Sequence, residues 1–295
     1  MFWPFGIIEA DGKVCVQVQK FNGRGVISPE EIAADLLKHM KLKTEEFQGK
    51  RLAKAVLTIP ATFTEAQKNS TLEAAKIAGW EEIVLLSEPI AASFAFFNDR
   101  PIEDNSFILL FDLGGGTLDV CIFKIQNNQI QIISNTGDSK LGGRDFDTVL
   151  IKYFQNALLT KYGISLVKNK KYLLMLQCEK IKESLTLLKN CFLDVEDFDP
   201  NQEGQILINV EEFKSMAEAL LNKIKNTVQS ALYNSKLDKN QINKILYAGG
   251  GSRMPMIKSL LEEIFPEAEH CREEQPDEVV AIGAAYYAYN IFAQQ

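Results

Sequence analysis

The sequence predicts an α/β fold, and three observations support that prediction. Short, uniformly apolar segments such as Ala55–Pro60 and Ile83–Leu86 have the length and composition of buried strands. Helical segments that open with capping residues alternate with these strands, as expected for a sheet covered by helices. Glycine clusters follow several predicted strands, at the strand ends where open α/β sheets bind ligands.

Composition and charge exclude several classes of function. The chain has 295 residues, 46% hydrophobic and 24% charged, as in a soluble globular protein. A net charge of −7 argues against a nucleic-acid partner, and no apolar run is long enough to cross a bilayer. Five scattered cysteines, no C-x-x-C pair and two histidines disfavour a structural zinc site. They indicate reduced thiols and a cytoplasmic protein.

The first third of the chain predicts strands and capped helices in turn. Lys13–Phe21 alternates like a strand and ends at the turn dipeptide Asn22-Gly23. Ser28-Pro-Glu-Glu31 is a capping box that opens a helix toward Phe47. A second helix begins at Thr64 and closes at Gly79, and a short apolar helix covers 90–97. The apolar opening, residues 2–8, has the composition of a strand. We expect one partial sheet from Lys13–Phe21, Ala55–Pro60 and Ile83–Leu86.

The loop at 101–106 is the best domain boundary, which divides the chain into 1–104 and 105–295. Beyond it, three strands separated by turns predict an antiparallel meander. They are Phe107–Asp112, Leu118–Ile125 and Ile130–Ser134. The following segments predict helices at Asp145–Tyr162, Lys170–Leu188 and Val210–Ser235, short strands near Cys191 and Ile206, a strand at Lys244–Ala248, and helices from Pro255 and Pro276.

The segment 112–119 combines a strand end, a glycine turn and the start of the next strand. Gly114–Gly116 lets backbone N–H groups approach phosphate oxygens, and Thr117 adds a hydroxyl. Asp112 and Asp119 flank the turn and are ligands of the kind that hold hydrated magnesium. An ordinary glycine hairpin with two solvated aspartates is the alternative. The paired aspartates favour phosphate binding.

Three further features carry weaker signals. Gly137–Gly143 precedes a helix, whose N-terminus attracts anions, but a glycine-rich helix entry without function has the same pattern. In Gly249–Arg253 the arginine can stack on a base, or it can be an ordinary surface side chain. Glu88 ends a buried strand, where a carboxylate can polarise water or simply be solvated.

The chain contains, in this order, AVLTIPATFTEAQ, LLSEPIAA, ILLFDLGGGTLDV, GDSKLGGRDFD, CEKIKESLT, AGGGSR and PDEVVAIGAA. Together these motifs resemble the ATPase domain of the heat-shock-70 chaperone family, over essentially all 295 residues. The resemblance implies the actin-like (ribonuclease-H-like) fold, with two lobes around a nucleotide cleft. It also implies that the first lobe, 1–104, is incomplete and that 105–295 carries the diphosphate and adenosine motifs.

The resemblance implies roles for individual residues. Glu88 is expected to orient the attacking water, together with Asp112, Thr117 and Asp119 as catalytic residues. The two aspartates are expected to hold magnesium through water. Pro60 matches a proline used in signalling between the lobes. The implied nucleotide-binding residues are Gly114, Gly115, Gly116, Thr117, Gly142, Gly143, Glu179, Lys182, Glu183, Thr186, Gly250, Gly251, Ser252, Arg253 and Asp277.

The sequence also departs from the family pattern. The family's ATPase domain begins well before the position that matches Met1, so its first phosphate hairpin and a catalytic lysine have no counterpart in these residues. Lys68 and Arg144 replace an arginine and an acidic residue, and Glu183 stands where the family has an arginine that stacks on adenine. From these departures we expect weak or lost ATP hydrolysis.

The predicted function is therefore the ATP-binding domain of a heat-shock-70-like chaperone, which acts in ATP-dependent protein folding and the stress response. ATP or ADP and Mg²⁺ are the expected ligands, and nucleotide-exchange factors and J-domain co-chaperones the expected partners. No nucleic acid, membrane or peptide-binding domain is expected. One alternative is a non-catalytic nucleotide-sensing or co-chaperone-binding module, and another is a fragment without independent function.

Overall fold

The computed structural model describes residues 5–10, 12–20, 23–97, 103–127, 129–271 and 275–292. The chain divides into two compact units. One consists of Met1–Ala91 with Gly283–Gln295, and the other of Ala92–Ile282. None of the described helices is both long and apolar enough to cross a membrane.

The first unit contains two separate sheets. One is antiparallel, with strands β1 (Gly6–Ala10), β2 (Lys13–Lys20) and β3 (Gly23–Ile27). The other is a parallel pair of β4 (Lys54–Ile59) and β5 (Glu82–Ser87). Helix α1 (Pro29–Gln48) precedes β4, α2 (Glu65–Ile77) connects β4 to β5, and α3 (Glu88–Phe97) follows β5.

The predicted single partial sheet is wrong for the described residues, because β2 pairs with β1 and β3 instead of β4 or β5. The alternating pattern of β2 suits an antiparallel sheet with one covered face, whereas the uniformly apolar β4 and β5 suit a parallel pair. Of the predicted turn Asn22-Gly23, Asn22 lies outside the described residues and Gly23 begins β3. Residues 2–4 of the apolar opening also lie outside them.

The helix starts predicted at Ser28 and Thr64 are confirmed, whereas the short helix predicted over 90–97 begins two residues earlier, at Glu88. Ser28 Oγ accepts the Glu31 N–H at 3.1 Å, and the Glu31 carboxylate accepts the Ser28 N–H at 2.8 Å. Thr64 and Gln67 cap α2 in the same reciprocal way. Gly79, at φ +87°, follows the end of α2 in the left-handed region that favours glycine. The two helices therefore begin and end where local side-chain chemistry directs.

The second unit is built on one mixed sheet in the order β12-β11-β6-β7-β8. The predicted meander is confirmed, because β6, β7 and β8 pair antiparallel in sequence. Strand β11 pairs parallel to β6 and places Ala248 beside Asp112. The strands are β6 (Phe107–Leu113), β7 (Leu118–Gln126), β8 (Gln129–Asp138), β11 (Lys244–Ala248) and β12 (Glu269–Cys271).

Helices and one hairpin complete the second unit. The helices are α4 (Gly143–Tyr162), α5 (Lys168–Ser184), α6 (Val210–Met216), α7 (Glu218–Ser235), α8 (Pro255–Ile264) and the greater part of α9 (Val279–Phe292), and the hairpin strands are β9 (Asn190–Asp194) and β10 (Gln205–Asn209).

The predicted single helix over Val210–Ser235 is wrong. It breaks at buried Ala217, whose N–H is shared between the carbonyls of Phe213 and Lys214. No glycine or proline marks that break. The last helix begins at Val279, after Pro276.

Both faces of the central strand β6 are buried. Leu109, Phe111 and Leu113 of β6 pack into the large core formed with the α4–α8 helices. Ile108 and Leu110 point to the opposite side, where a second core contains residues of α3 and α9. Burial of apolar surface on both faces fixes the sheet firmly. The glycine motifs lie at the ends of its strands.

Candidate nucleotide-binding site

The glycine turn connects β6 to β7 as a tight hairpin. Leu113 is the Cα partner of Leu118, and Asp112 is the partner of Asp119. The Gly114 N–H donates to the Thr117 carbonyl at 3.0 Å, which closes the turn. A Cβ built on Gly115 meets no described atom within 4 Å. The turn therefore presents an open stretch of backbone.

The N-terminus of α4 rests directly on this turn. The N–H groups of Gly143 and Arg144 donate to the carbonyls of Gly114 and Gly115, each at 2.9 Å. A Cβ on Gly142 would lie 2.4 Å from the Gly116 nitrogen, so only glycine fits at position 142. The glycine pair thus permits a close backbone approach. Its part in phosphate binding stays a prediction.

Asp112 and Asp119 lie side by side at the end of the sheet, and each faces a glycine. A Cβ on Gly249 would be 2.5 Å from Asp112 Oδ1, and one on Gly137 would be 3.1 Å from Asp119 Oδ1. Burial, and to a smaller extent the charge of Asp119, raise the pKa of Asp112 to about 6. Burial likewise raises the pKa of Asp119. Within the described residues neither carboxylate forms an ion pair, so a bound cation would relieve the cost of their charges.

The third glycine motif continues from β11 and packs against the end of β6. Gly249 has φ +74°, and its N–H donates to the Pro276 carbonyl at 2.9 Å. A Cβ on Gly251 would lie 2.7 Å from the Leu113 carbonyl oxygen, whereas one on Gly250 meets no described atom within 4 Å. The Leu113 end of β6 is therefore tightly enclosed, and Gly250 faces open space.

Two side chains of this motif are held in place. The buried Ser252 Oγ donates to the Gly249 carbonyl at 2.7 Å. Arg253 forms an ion pair with Asp277, both partly exposed. Hydrogen bonds from its own backbone N–H and from Arg253 lower the pKa of the Asp277 carboxyl. The pair orients the Arg253 guanidinium, which the sequence resemblance assigns to the nucleoside.

Helix α5 contributes the remaining candidate residues. Lys182 Nζ lies 2.8 Å from Asp147 Oδ1 on α4 and donates to the Gly143 carbonyl at 3.3 Å. Glu179 and Glu183 are exposed on the same helix, and the charge of each contributes to raising the pKa of Asp147, after burial as the main cause. Their carboxylates therefore lie within electrostatic reach of Asp147.

The structure thus brings together most of the residues that the sequence singled out. The contacts above join Asp112, Asp119, Gly114–Gly116, Gly142–Gly143, Lys182 and Gly249–Gly251 around the ends of β6, β7 and β11. Thr186 follows α5, and its Oγ1 donates to the Glu183 carbonyl at 2.7 Å. Glu88, the first residue of α3, and Pro60, directly after β4, belong to the other unit. The functional roles of all these residues stay predictions.

Asp147 was not predicted from the sequence. It lies at helical spacing from Leu150, Phe154 and Leu158 on the buried face of α4. A carboxylate on an apolar helix face needs a cationic partner, and Lys182 supplies it. That pattern is visible in the sequence and could have identified Asp147.

The residues around the turn suit magnesium held through water. Among the described residues no group of three or more His, Cys, Asp or Glu side chains could hold a metal ion. Asp112 and Asp119 supply two carboxylates at neighbouring register positions. Mg²⁺ commonly uses one or two carboxylates together with water and phosphate oxygens, so this pair fits that ion.

Comparison with known proteins identifies the family of this chain. A family model described as "Hsp70 protein" matches residues 1–292. The chain belongs to the Hsp70 family. It is 34% identical over 292 residues to the chaperone protein dnaK of Thalassiosira pseudonana. The aligned region covers 97% of this chain and 48% of that protein.

Two other Hsp70 relatives show a similar extent of identity. A heat shock 70 kDa protein of Neurospora crassa is 33% identical over 288 residues, 97% of this chain and 45% of its own length. A ribosome-associated molecular chaperone of Saccharomyces cerevisiae is 32% identical over 286 residues, 96% of this chain and 47% of its own length. The chain spans about half the length of the curated Hsp70 relatives it matches.

Proposed function

We propose that these residues bind ATP and ADP with Mg²⁺, as the nucleotide-binding domain of an Hsp70-type chaperone. One observation carries the proposal: an open glycine turn lies between two adjacent carboxylates, those of partly buried Asp112 and buried Asp119, at the end of the central sheet. An open glycine backbone suits phosphate oxygens, and the carboxylates suit a hydrated magnesium ion. Family membership supports the actin-like architecture as part of the same proposal.

Different residues of the chain would bind the phosphates, the magnesium ion and the base. The turn at Gly114–Gly116 would orient the phosphates, with Asp112 and Asp119 holding magnesium, which offsets phosphate charge when bound. Arg253, oriented by Asp277, would cover one face of the base. Fixed placement of these groups matters because phosphoryl transfer depends mainly on positioning and charge stabilisation.

We propose that hydrolysis by these 295 residues alone is slow. Several groups must act together in phosphoryl transfer, so loss of any one of them slows it. Exposed Glu183, at the position of an adenine-stacking arginine, further favours weak nucleotide affinity. The second candidate function, a nucleotide-sensing module that acts through exchange factors or J-domain proteins, rests on that same glutamate.

Two inferences about the cell follow from the same proposal. The five cysteines all lie among the described residues and form no disulfide, which supports a reducing compartment such as the cytoplasm. Protein folding under stress is the cellular role that the chaperone relatives support.

Calorimetric titration with ADP and ATP, with and without Mg²⁺, tests the binding proposal. We expect saturable binding of both nucleotides that weakens when the metal is removed, and the loss of that metal dependence in Asp112→Asn. Absence of binding at millimolar nucleotide would contradict the proposal. A phosphate-release assay on the same protein then distinguishes slow turnover from none.

A further inference from the structure

The side chain of Arg144 lies beside the open glycine turn. Its backbone N–H donates to the Gly115 carbonyl at 2.9 Å, which fixes the residue against the turn. A Cβ on Gly116 would lie 4.0 Å from Arg144 Nη1, so the guanidinium reaches the edge of the same turn. The residue itself is exposed. A ligand on the turn would therefore meet this cation directly.

Arg144 differs from the other cations of the site in its partners. Lys182 is paired with Asp147, and Arg253 is paired with Asp277. Across the part of the chain that the structure describes, the Arg144 guanidinium makes no ion pair and no hydrogen bond. Its donors can therefore bind a ligand without first breaking an internal contact.

The adjacent carboxylate is already engaged. Asp145 Oδ2 accepts the Gly142 N–H at 2.8 Å and so caps the start of α4 instead of neutralising Arg144. A guanidinium presents several N–H donors in a plane that matches two phosphate oxygens at once. The geometry thus offers a phosphate group both the open backbone of the turn and a planar cation.

We propose that Arg144 is a phosphate-binding residue of this site and that it sets a preference for phosphorylated nucleosides over the free nucleoside. The inference rests on the proposed function. Asp112 and Asp119 bring negative charge close to the turn, and a polyphosphate adds more. A cation at the turn offsets part of that repulsion, and only for ligands that carry phosphate.

Binding measurements on matched variants test this inference. ADP would be titrated calorimetrically, and adenosine measured by displacement of a fluorescent ADP analogue, with the wild type, Arg144→Gln and Arg144→Lys. Lys152→Gln serves as control, because Lys152 is an exposed cation on the same helix. At low salt we expect Arg144→Gln to weaken ADP about tenfold and leave adenosine unchanged. Arg144→Lys should keep part of the affinity, and the control should keep all of it.

Three outcomes would overturn the inference, and they differ in what they say about the function. ADP binding that is equal in wild type and Arg144→Gln removes the role of Arg144 and leaves the proposed function standing. Equal loss of ADP and adenosine affinity indicates a general disturbance of the site and also removes the role. A wild-type protein that binds no ADP removes both proposals. Unfolding midpoints confirm that each variant is folded.

Discussion

Lys182 and Asp147 form a largely buried ion pair that connects α5 to the beginning of α4. Lys182 Nζ lies 2.8 Å from one carboxylate oxygen and 2.9 Å from the other, with the side chains 14% and 10% exposed. The same ammonium donates to the Gly143 carbonyl at 3.3 Å. The pair therefore fixes the helix whose N-terminus rests on the glycine turn.

Removal of one partner of this ion pair should lower the free energy of unfolding. In Asp147→Asn the Lys182 charge stays buried without its carboxylate, so we expect a loss of about 3 kcal/mol in the free energy of unfolding. Urea denaturation monitored by circular dichroism measures it. Glu46→Gln is the control, because the Lys43–Glu46 pair is 64% and 71% exposed and should change stability by less than about 0.5 kcal/mol. Equal effects of the two variants would contradict the assigned role of the buried pair.

The raised pKa of Asp112 predicts a pH dependence of stability. Its folded pKa of about 6 exceeds the ordinary value of 3.8, so the folded protein binds a proton that the unfolded chain has released. Between about pH 4 and pH 6 stability should therefore fall as pH rises. Asp112→Asn should reduce that fall and stabilise the protein near neutral pH by about 1–3 kcal/mol.

Thermal unfolding across that pH range measures the effect. Asp35→Asn, an exposed carboxylate on α1, is the control and should leave the pH profile unchanged. If stability fell more steeply with rising pH in Asp112→Asn than in the wild type, the direction assigned to the effect of Asp112 would be wrong. The stabilised variant should at the same time lose magnesium-dependent ADP binding, because its amide carries no charge.

Two glycines of the site should respond differently to alanine. A Cβ at position 142 overlaps backbone atoms of Gly116, so Gly142→Ala should lower the free energy of unfolding by about 2 kcal/mol or more. A Cβ at position 115 meets open space, so Gly115→Ala should fold normally and weaken ADP binding by obstructing the turn. Unfolding midpoints and ADP titrations on both variants check this. Normal ADP affinity in Gly115→Ala would mean that phosphate does not bind at the turn.

Glu183 offers a test of the base-binding region. Its carboxylate is exposed, lies within electrostatic reach of Asp147 and cannot stack on a base as a guanidinium does. Glu183→Arg should tighten ADP binding about tenfold, through stacking and reduced repulsion of the phosphates. Glu211→Arg on α6 makes the same charge change at another exposed position and should leave the affinity unchanged. Equal affinities for wild type and Glu183→Arg would place this helix away from the base.

The sequence predicted those features that depend on neighbouring residues. Ser28 and Thr64 opened helices where expected, and the meander around Gly114–Gly116 formed because its strands and turns are consecutive. The break at Ala217 was missed because an alanine has no intrinsic tendency to end a helix.

Contacts between residues that are distant in the chain were not predicted from the sequence. Three features depend on segments that meet only in the folded protein: the ion pair of Lys182 with Asp147, the approach of Gly249 to Asp112, and the separate sheet formed by β2. The motif residues were recognisable from local composition. The contacts that join them depend on the packing of the whole unit.

The parallel pairing of β6 with β11 also bears on the order of events during synthesis. Asp112 leaves the ribosome long before Ala248, its neighbour in the sheet, and before Gly249, which packs on its carboxylate. The meander of β6, β7 and β8 can pair early, but one edge of β6 stays without its strand until β11 emerges. Until then a nascent chain exposes the unpaired N–H and C=O groups along one edge of β6, on which strands of other chains can pair. A protein of a chaperone family would itself, during that interval, be a substrate for chaperones.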